Sequence, residues 1–185
     1  EKIYKSSHGS AEVEMTFFVR KNSKLIWLPQ DTILFSKSDL SRKITIHIED
    51  DSELLAFDQI VLGRSAMGEN IKESNFHDNW KIYNGDRLVY FDQSGWKDYV
   101  PVNCAGLKGI KSYASFYYVG SKAEYFEQKL RRMKQVYKNI YLGISLRKGC
   151  LLVRLFGSEA KAIKDRATNL LREIWELDTP NVWKL

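Results

Sequence analysis

The sequence predicts a mainly β protein with a late α+β element, in which a sheet-rich body is followed by a helix–hairpin–helix unit. Three observations carry this. The first two thirds hold short segments that alternate apolar and polar residues, bounded by Ser, Asp, Asn or Gly. From Ser121 onward the apolar residues recur at helical spacing. Between the two helical stripes lies one more pair of extended segments. The period change divides the chain into a β-rich body over residues 1–118 and a helix–hairpin–helix unit over 119–185 packed on it. At 185 residues one well-buried domain suffices, and length alone does not demand two.

Taken in order, Val13-Glu-Met-Thr-Phe-Phe-Val19 starts as an alternation and ends in an apolar run, and Lys24-Leu-Ile-Trp-Leu28 is β-prone and stops at Pro29. Lys43 to Glu49 alternates strictly, with Ile44, Ile46 and Ile48 on one face and Thr45, His47 and Glu49 on the other. Trp80–Tyr83 and Arg87–Phe91 flank Asn84-Gly85-Asp86, a hairpin turn whose glycine can take positive φ. Short strands at such spacing suggest a sheet-rich body rather than alternating strand–helix units.

In the last third, Ser121-Lys-Ala-Glu124 has the pattern of a capping box, opening a helix near 122–138 with Phe126, Leu130, Met133 and Tyr137 on one face. Ile140, Leu142, Ile144 and Leu146 alternate, Arg147-Lys-Gly149 turns, and the apolar run Cys150–Phe156 returns. A second helix near 158–177 carries Ile163, Ala167, Leu170, Leu171 and Ile174 on one stripe.

Composition narrows the function classes. Apolar residues make up 44% and charged residues 28%, the balance of an ordinary globular protein. No stretch approaches a membrane-spanning apolar run, and no signal peptide pattern is present. The chain begins Glu-Lys-Ile-Tyr, without an initiator Met, which points to a processed chain or a piece of something longer. Cys104 and Cys150 form neither a C-x-x-C pair nor a disulfide framework, so both are expected as small core residues in a reducing, cytoplasmic setting. The net charge of +6 raises a basic nucleic-acid-binding β-rich module as the alternative function. Its 29 Lys and Arg are nevertheless interleaved with 23 acids, and the one dense run, Lys129-Leu-Arg-Arg-Met-Lys134, has the period of a solvated helix face.

The catalytic patterns fail where chemistry needs them. Gly63-Arg-Ser-Ala-Met-Gly68 has the glycine spacing of a phosphate loop, but Glu69 and Asn70 stand where Lys and Ser or Thr are required. None of His8, His47 and His77 lies near a nucleophile elbow or at metal-site spacing, so each is expected as a surface or strand-face residue. Nothing in the sequence argues for an enzyme. More specific is the stretch in which Leu54-Leu-Ala-Phe-Asp58 and Ile60-Val-Leu62 deliver Arg64 between glycines, with Glu69 five residues on. From spacing alone, Asp58, Arg64 and Glu69 either pin a strand–turn–strand corner or form an internal ion-pair assembly, in which loss of one partner strands a charge.

Trp27-Leu-Pro-Gln-Asp31, then Leu54–Asp58, then Leu62-Gly-Arg-Ser-Ala-Met-Gly-Glu69 resemble together the central signature of the urease accessory protein family UreD, called UreH in some species. Trp27, Pro29, Gly63 and Gly68 are its structural residues. Lys2-Ile-Tyr4 resembles the end of an earlier family segment, and Asn84-Gly-Asp86 through Asp92 the hairpin after the signature. Pro180-Asn-Val-Trp183 is similar to the closing Pro-Arg-x-Trp, with Asn181 in place of Arg. The resemblance implies a mostly β fold, loosely helical in its winding, with two late helices. It implies a non-enzymatic scaffold that docks on the urease structural subunits, recruits the accessory proteins UreF and UreG, and assists nickel delivery through an internal channel, with no nucleic acid and no membrane as partner. Asp58, Arg64, Glu69 and Asp92 match the polar residues of that route or its support, Arg64 holding Asp58 or Glu69. No cofactor is expected to bind tightly and nickel passes in transit, which suits scattered oxygen donors better than a His/Cys cage. The resemblance also implies a further N-terminal segment ahead of Glu1.

Overall fold

The computed structural model describes residues 1–7, 9–63, 71–100, 109–133, 137 and 139–184. Through its first part the chain crosses back and forth between two sheets. β1 (Lys2–Ile3), β3 (Lys24–Trp27), β4 (Thr32–Leu34) and β6 (Glu53–Leu62) enter one sheet, and β2 (Ala11–Val19), β5 (Asp39–Ile48) and β7 (Asn75–Asn84) enter the other. Within each sheet these strands pair in parallel: β1 with β4, β3 and β4 with β6, β2 with β5, and β5 with β7. Parallel neighbours need a crossover, and here the crossover is a strand of the opposite sheet, so the chain winds as a loose coil.

The winding stops at the β7–β8 hairpin. β8 (Arg87–Trp96) returns antiparallel after the turn at Gly85, whose φ is +56°. β9 (Ser112–Val119) pairs antiparallel with β6, α1 (Ala123–Arg132) follows, and β10 (Ile140–Arg147) and β11 (Cys150–Gly157) form a second hairpin that joins the first sheet through β9. Lys148 and Gly149, at φ 52° and 79°, make its two-residue turn with the positive φ values that match strand twist. α2 (Ala160–Trp175) and a short 3-10 turn (Asn181–Trp183) close the chain. The first sheet runs β1-β4-β6-β9-β11-β10, with β3 also on β6; the second runs β2-β5-β7-β8.

Alternation on β6 shows why the layers stack. Leu55 and Phe57 point to the helices, where they pack with Phe116, Leu151, Val153, Ile163, Leu171 and Trp175. Leu54 and Ala56 point to the second sheet and meet Ile44, Ile46, Trp80 and Ile82; Ile60 and Leu62, on the same side, meet Leu40 and Phe76. Each fully buried aliphatic or aromatic side chain here contributes roughly 1.5–3 kcal/mol, and β6 is buried on both faces.

The mainly β architecture with late helices agrees with the sequence reading, and three local expectations do not. α1 starts at Ala123 with Lys122 as N-cap and no side-chain cap, so Ser121-x-x-Glu124 is not a capping box. Ser121 lies one residue too early, and the Ala123 and Phe126 amides bond the Gly120 and Lys122 carbonyls instead. The helix ends at Arg132 because Met133 is extended, at ψ 149°. Tyr137 therefore leaves the helical stripe and bridges to Ile140. α2 is likewise shorter than its expected bounds, beginning after Glu159 and ending before Glu176, whose backbone is left-handed. Cys150 is a buried free thiol, as expected of a core cysteine; Cys104 lies outside the described residues.

Candidate functional site: a polar slice through the sandwich

Between the two apolar clusters of the sandwich interior lies one transverse row of polar side chains. Register places Asp58, Ser115 and Arg154 side by side across β6, β9 and β11, and Arg42, Asp78 and Ser94 across β5, β7 and β8. Each of these strands points alternate residues inward, so a polar residue at one register position on every strand makes a slice rather than scattered defects.

At the centre of the slice Arg42 holds two carboxylates. Its Nη2 donates to Asp58 Oδ2 at 2.6 Å and to Asp78 Oδ2 at 2.7 Å, its Nε to Asp78 Oδ1 at 2.8 Å, and its Nη1 to Asp58 Oδ1 at 3.2 Å. Thr32 Oγ1 accepts a longer contact from Nη1 at 3.4 Å, and Trp80 Nε1 donates to Asp78 at 3.1 Å. The three charged side chains are 3%, 7% and 5% exposed. Burial alone weakens the Arg42 charge, but Asp58 and Asp78 outweigh it and hold the guanidinium firmly protonated. Burial likewise holds the Asp78 carboxyl above its usual range, against the pull of Arg42.

A second assembly stands at the β8 side. Arg154 Nη2 donates to Asp92 and, at 2.9 Å, to the Tyr90 hydroxyl. This pair is 33% and 28% exposed. Burial pushes the Tyr90 phenol up to about 12, so it stays neutral beside Arg154. Asp58, Asp78, Asp92, Ser94, Tyr113, Ser115 and Arg154 line a cavity of about 330 Å³ that reaches from the central triad to β8 and β11. Gly95, also on its wall, tolerates no side chain: a Cβ would stand 2.2 Å from the Phe76 carbonyl oxygen.

The structure thus brings Asp58 and Asp92 to one cavity and gives each an arginine partner. Arg64, Gly68 and Glu69 lie outside the described residues, so their expected roles beside Asp58 are not part of this geometry. Sequence reasoning missed Arg42, Asp78 and Arg154. The signal for Arg42 was present: Leu40, Ile44, Ile46 and Ile48 share a strand face, and Arg42 interrupts that face with a charge. Among the described residues no group of three or more His, Cys, Asp or Glu is placed to grip a metal ion.

The described signature residues, Gly63, Trp27 and Pro29, belong to the frame of this site. Gly63, at φ 75°, donates its N–H to the Leu34 carbonyl at 2.8 Å. Trp27 packs on Phe17 and Trp80 in the sandwich core. The Pro29 carbonyl accepts from Trp183 Nε1 at 2.8 Å, and Gln30 Nε2 donates to the Val182 carbonyl at 2.9 Å. Lys164 of α2 pairs with Asp31 and lies 3.9 Å from the Trp183 ring centroid. Trp-Leu-Pro-Gln-Asp and the closing Pro-Asn-Val-Trp are therefore two sides of one clamp.

The family model for the UreD urease accessory protein matches residues 1–184. The chain belongs to the UreD urease accessory protein family. Proteins with that name from Rhizobium leguminosarum bv. viciae and bv. trifolii (strain WSM2304) are 33% and 34% identical over 189 and 191 residues; in each, the match spans all of this chain and 68% of the relative. One from Methylobacterium sp. (strain 4-46) is 32% identical over 191 residues with the same coverage. Membership assigns this UreD-family chain a role in urease maturation, an accessory role and not one named for a catalysed reaction. None of the described helices is long and apolar enough to cross a membrane.

Proposed function

We propose that this chain is an assembly scaffold of urease maturation. It docks on the urease structural subunits, recruits UreF-like and UreG-like accessory proteins in the cytoplasm, and borders the route along which nickel travels to the urease site. The observation that supports this reading best is the polar slice. Asp58 and Asp92, both matched to the family's route residues, face one cavity walled by carboxylate, hydroxyl and phenol oxygens together with the Arg154 guanidinium and the Trp96 and Phe156 rings. Oxygen donors hold a divalent transition metal weakly, and a conduit must release what it binds. The arginines pair with the carboxylates and fix their placement, because an ionised acid without a partner does not persist in an apolar interior. Arg64 and Glu69 belong to the same proposal as support for Asp58.

The test is urease activation in cells by the full-length protein, alongside co-purification with the urease subunits and the UreF-like protein. Asp58→Ala and Asp92→Ala are expected to lower activation while a complex still assembles. Arg64→Ala is expected to weaken folding or docking. A wild-type protein that captures neither partner would end the scaffold reading, and normal activation by both aspartate variants would end the route assignment.

A further inference from the structure

The second sheet is narrower than the first, and the contacts between them show where it ends. Thr32 of β4 and Asp58 of β6 both reach Arg42 of β5. Tyr117 of β9 stacks on Trp80 of β7 and meets Tyr90 of β8. Arg154 of β11 reaches Tyr90 and Asp92 of β8. β8 is the last strand of its sheet, whereas the first sheet continues one strand further, to β10. Exposure follows the step. Leu152, Arg154 and Phe156 of β11 are half-buried, while Tyr141, Gly143, Ser145 and Arg147 of β10 are exposed, Tyr141 to 70%. A Cβ added at Gly143 would meet nothing within 4 Å.

The result is a notch. One wall is the edge of β8, ten residues long, which pairs with no further strand among the described residues. The floor is the uncovered face of β10. The notch is about one strand wide, since neighbouring strands stand about 4.8 Å apart, and a helix about 10 Å across does not fit. Its unpaired charge is mainly positive. Ile140–Gly157 carries Arg147, Lys148 and Arg154 and no Asp or Glu; Arg154 is already paired with Asp92 of the β8 wall, which leaves Arg147 and Lys148, with the exposed Arg87 following Asp86 at the start of β8. Arg87, Arg147 and Lys148 make no ion pair among the described residues.

We propose that this notch receives an extended acidic segment of a protein partner, which pairs with the β8 edge as a fifth strand of the second sheet and lies on Tyr141, Gly143 and Ser145. Main-chain pairing supplies the affinity in this mode, and alternate side chains supply the specificity. Asp92, Gln93, Ser94 and Gly95 of β8 line the 330 Å³ cavity, so the added strand covers its β8 side. The proposal rests on the scaffold reading and adds to it that docking and closure of the cavity are one event.

The experiment is hydrogen exchange of the full chain alone and in the complex coexpressed with the urease subunits and the UreF-like protein. Amides of residues 88–96 are expected to exchange at least tenfold more slowly in the complex. Two variants separate shape from charge. Gly143→Trp fills the floor, and the double substitution Arg147→Glu with Lys148→Glu reverses the cations. Each is expected to weaken capture at least tenfold with an unchanged melting temperature, while Gly143→Ala captures normally. A complex that forms with unchanged β8 exchange, or variants that capture like wild type, would overturn the notch and leave the scaffold reading standing. Slower β8 exchange produced instead by a single-stranded RNA oligonucleotide would also overturn it. Failure of the wild type to form any complex would remove both.

Discussion

Two arginine–carboxylate assemblies share the polar slice and differ in nearly everything that decides energy. Arg42 sits at 3% exposure and uses all three guanidinium nitrogens on two aspartates. Arg154 is 33% exposed and spends one terminal nitrogen on Asp92 and Tyr90. The same charge types thus do different work. Where water is excluded and every donor is matched, the assembly pins two sheets together and cannot lose a member without stranding a charge. Where water reaches the pair and one nitrogen carries it, the pair can part at small cost. The first is a fixed wall of the cavity and the second is its loose one.

The largest expected effect tests the fixed wall. Arg42→Ala leaves Asp58 and Asp78 buried with no cation and should cost about 3–5 kcal/mol, seen as a large drop in melting temperature. Arg42→Lys should recover only part of it, because an ammonium cannot fork to two carboxylates. A small loss in either case would mean that water enters the slice and that the two assemblies are alike.

Cys150, buried in the same sandwich interior four residues along β11 from the slice, reports opening of the sandwich as a whole. Burial pushes its thiol up to about 12, so at pH 8 the native protein should react slowly with a thiol reagent in a Cys104→Ser background. Reaction should quicken in Arg42→Ala and stay slow in Arg154→Ala. Equal rates in the two variants would remove the distinction between the assemblies.

Arg154→Ala should cost about 1 kcal/mol or less, since partly exposed pairs are screened and water can solvate the Asp92 left behind. A denaturant series on the purified variant measures it, and a loss as large as that of Arg42→Ala would make both pairs fixed. At the bottom of the scale stands Lys161–Asp165, an exposed pair one helical turn apart on α2. Lys161→Ala should change stability by about 0.3–0.5 kcal/mol, which sets the baseline against which the Arg154 value is judged.

Much of the fold was legible because apolar periodicity is a local property. Ile44, Ile46 and Ile48 announce an inward strand face, and Ile163, Ala167, Leu170 and Leu171 a buried helix stripe, before any partner is known. Helix ends were less legible. Ser121 has the right side chain for a cap but the wrong place in the turn, and only the chain's path around Gly120 decides that. For the site, Asp58 stood out as an acid in an apolar run, yet its partner is 16 residues away on another sheet.

By itself the sequence determined the mainly β class, the hairpin turns at Gly85 and Gly149 and, through its motifs, the family. Each depends on residues within a few positions of one another, or on a pattern of side-chain types that survives without coordinates. Tertiary structure alone decided that Arg42, Asp58 and Asp78 meet, that Pro29 and Trp183 close one clamp, and that β10 overhangs β8. Those pairings depend on which strand lies over which and in what register. A shift of one residue would turn Arg42 to solvent, and the burial of both sheet faces together selects against that shift.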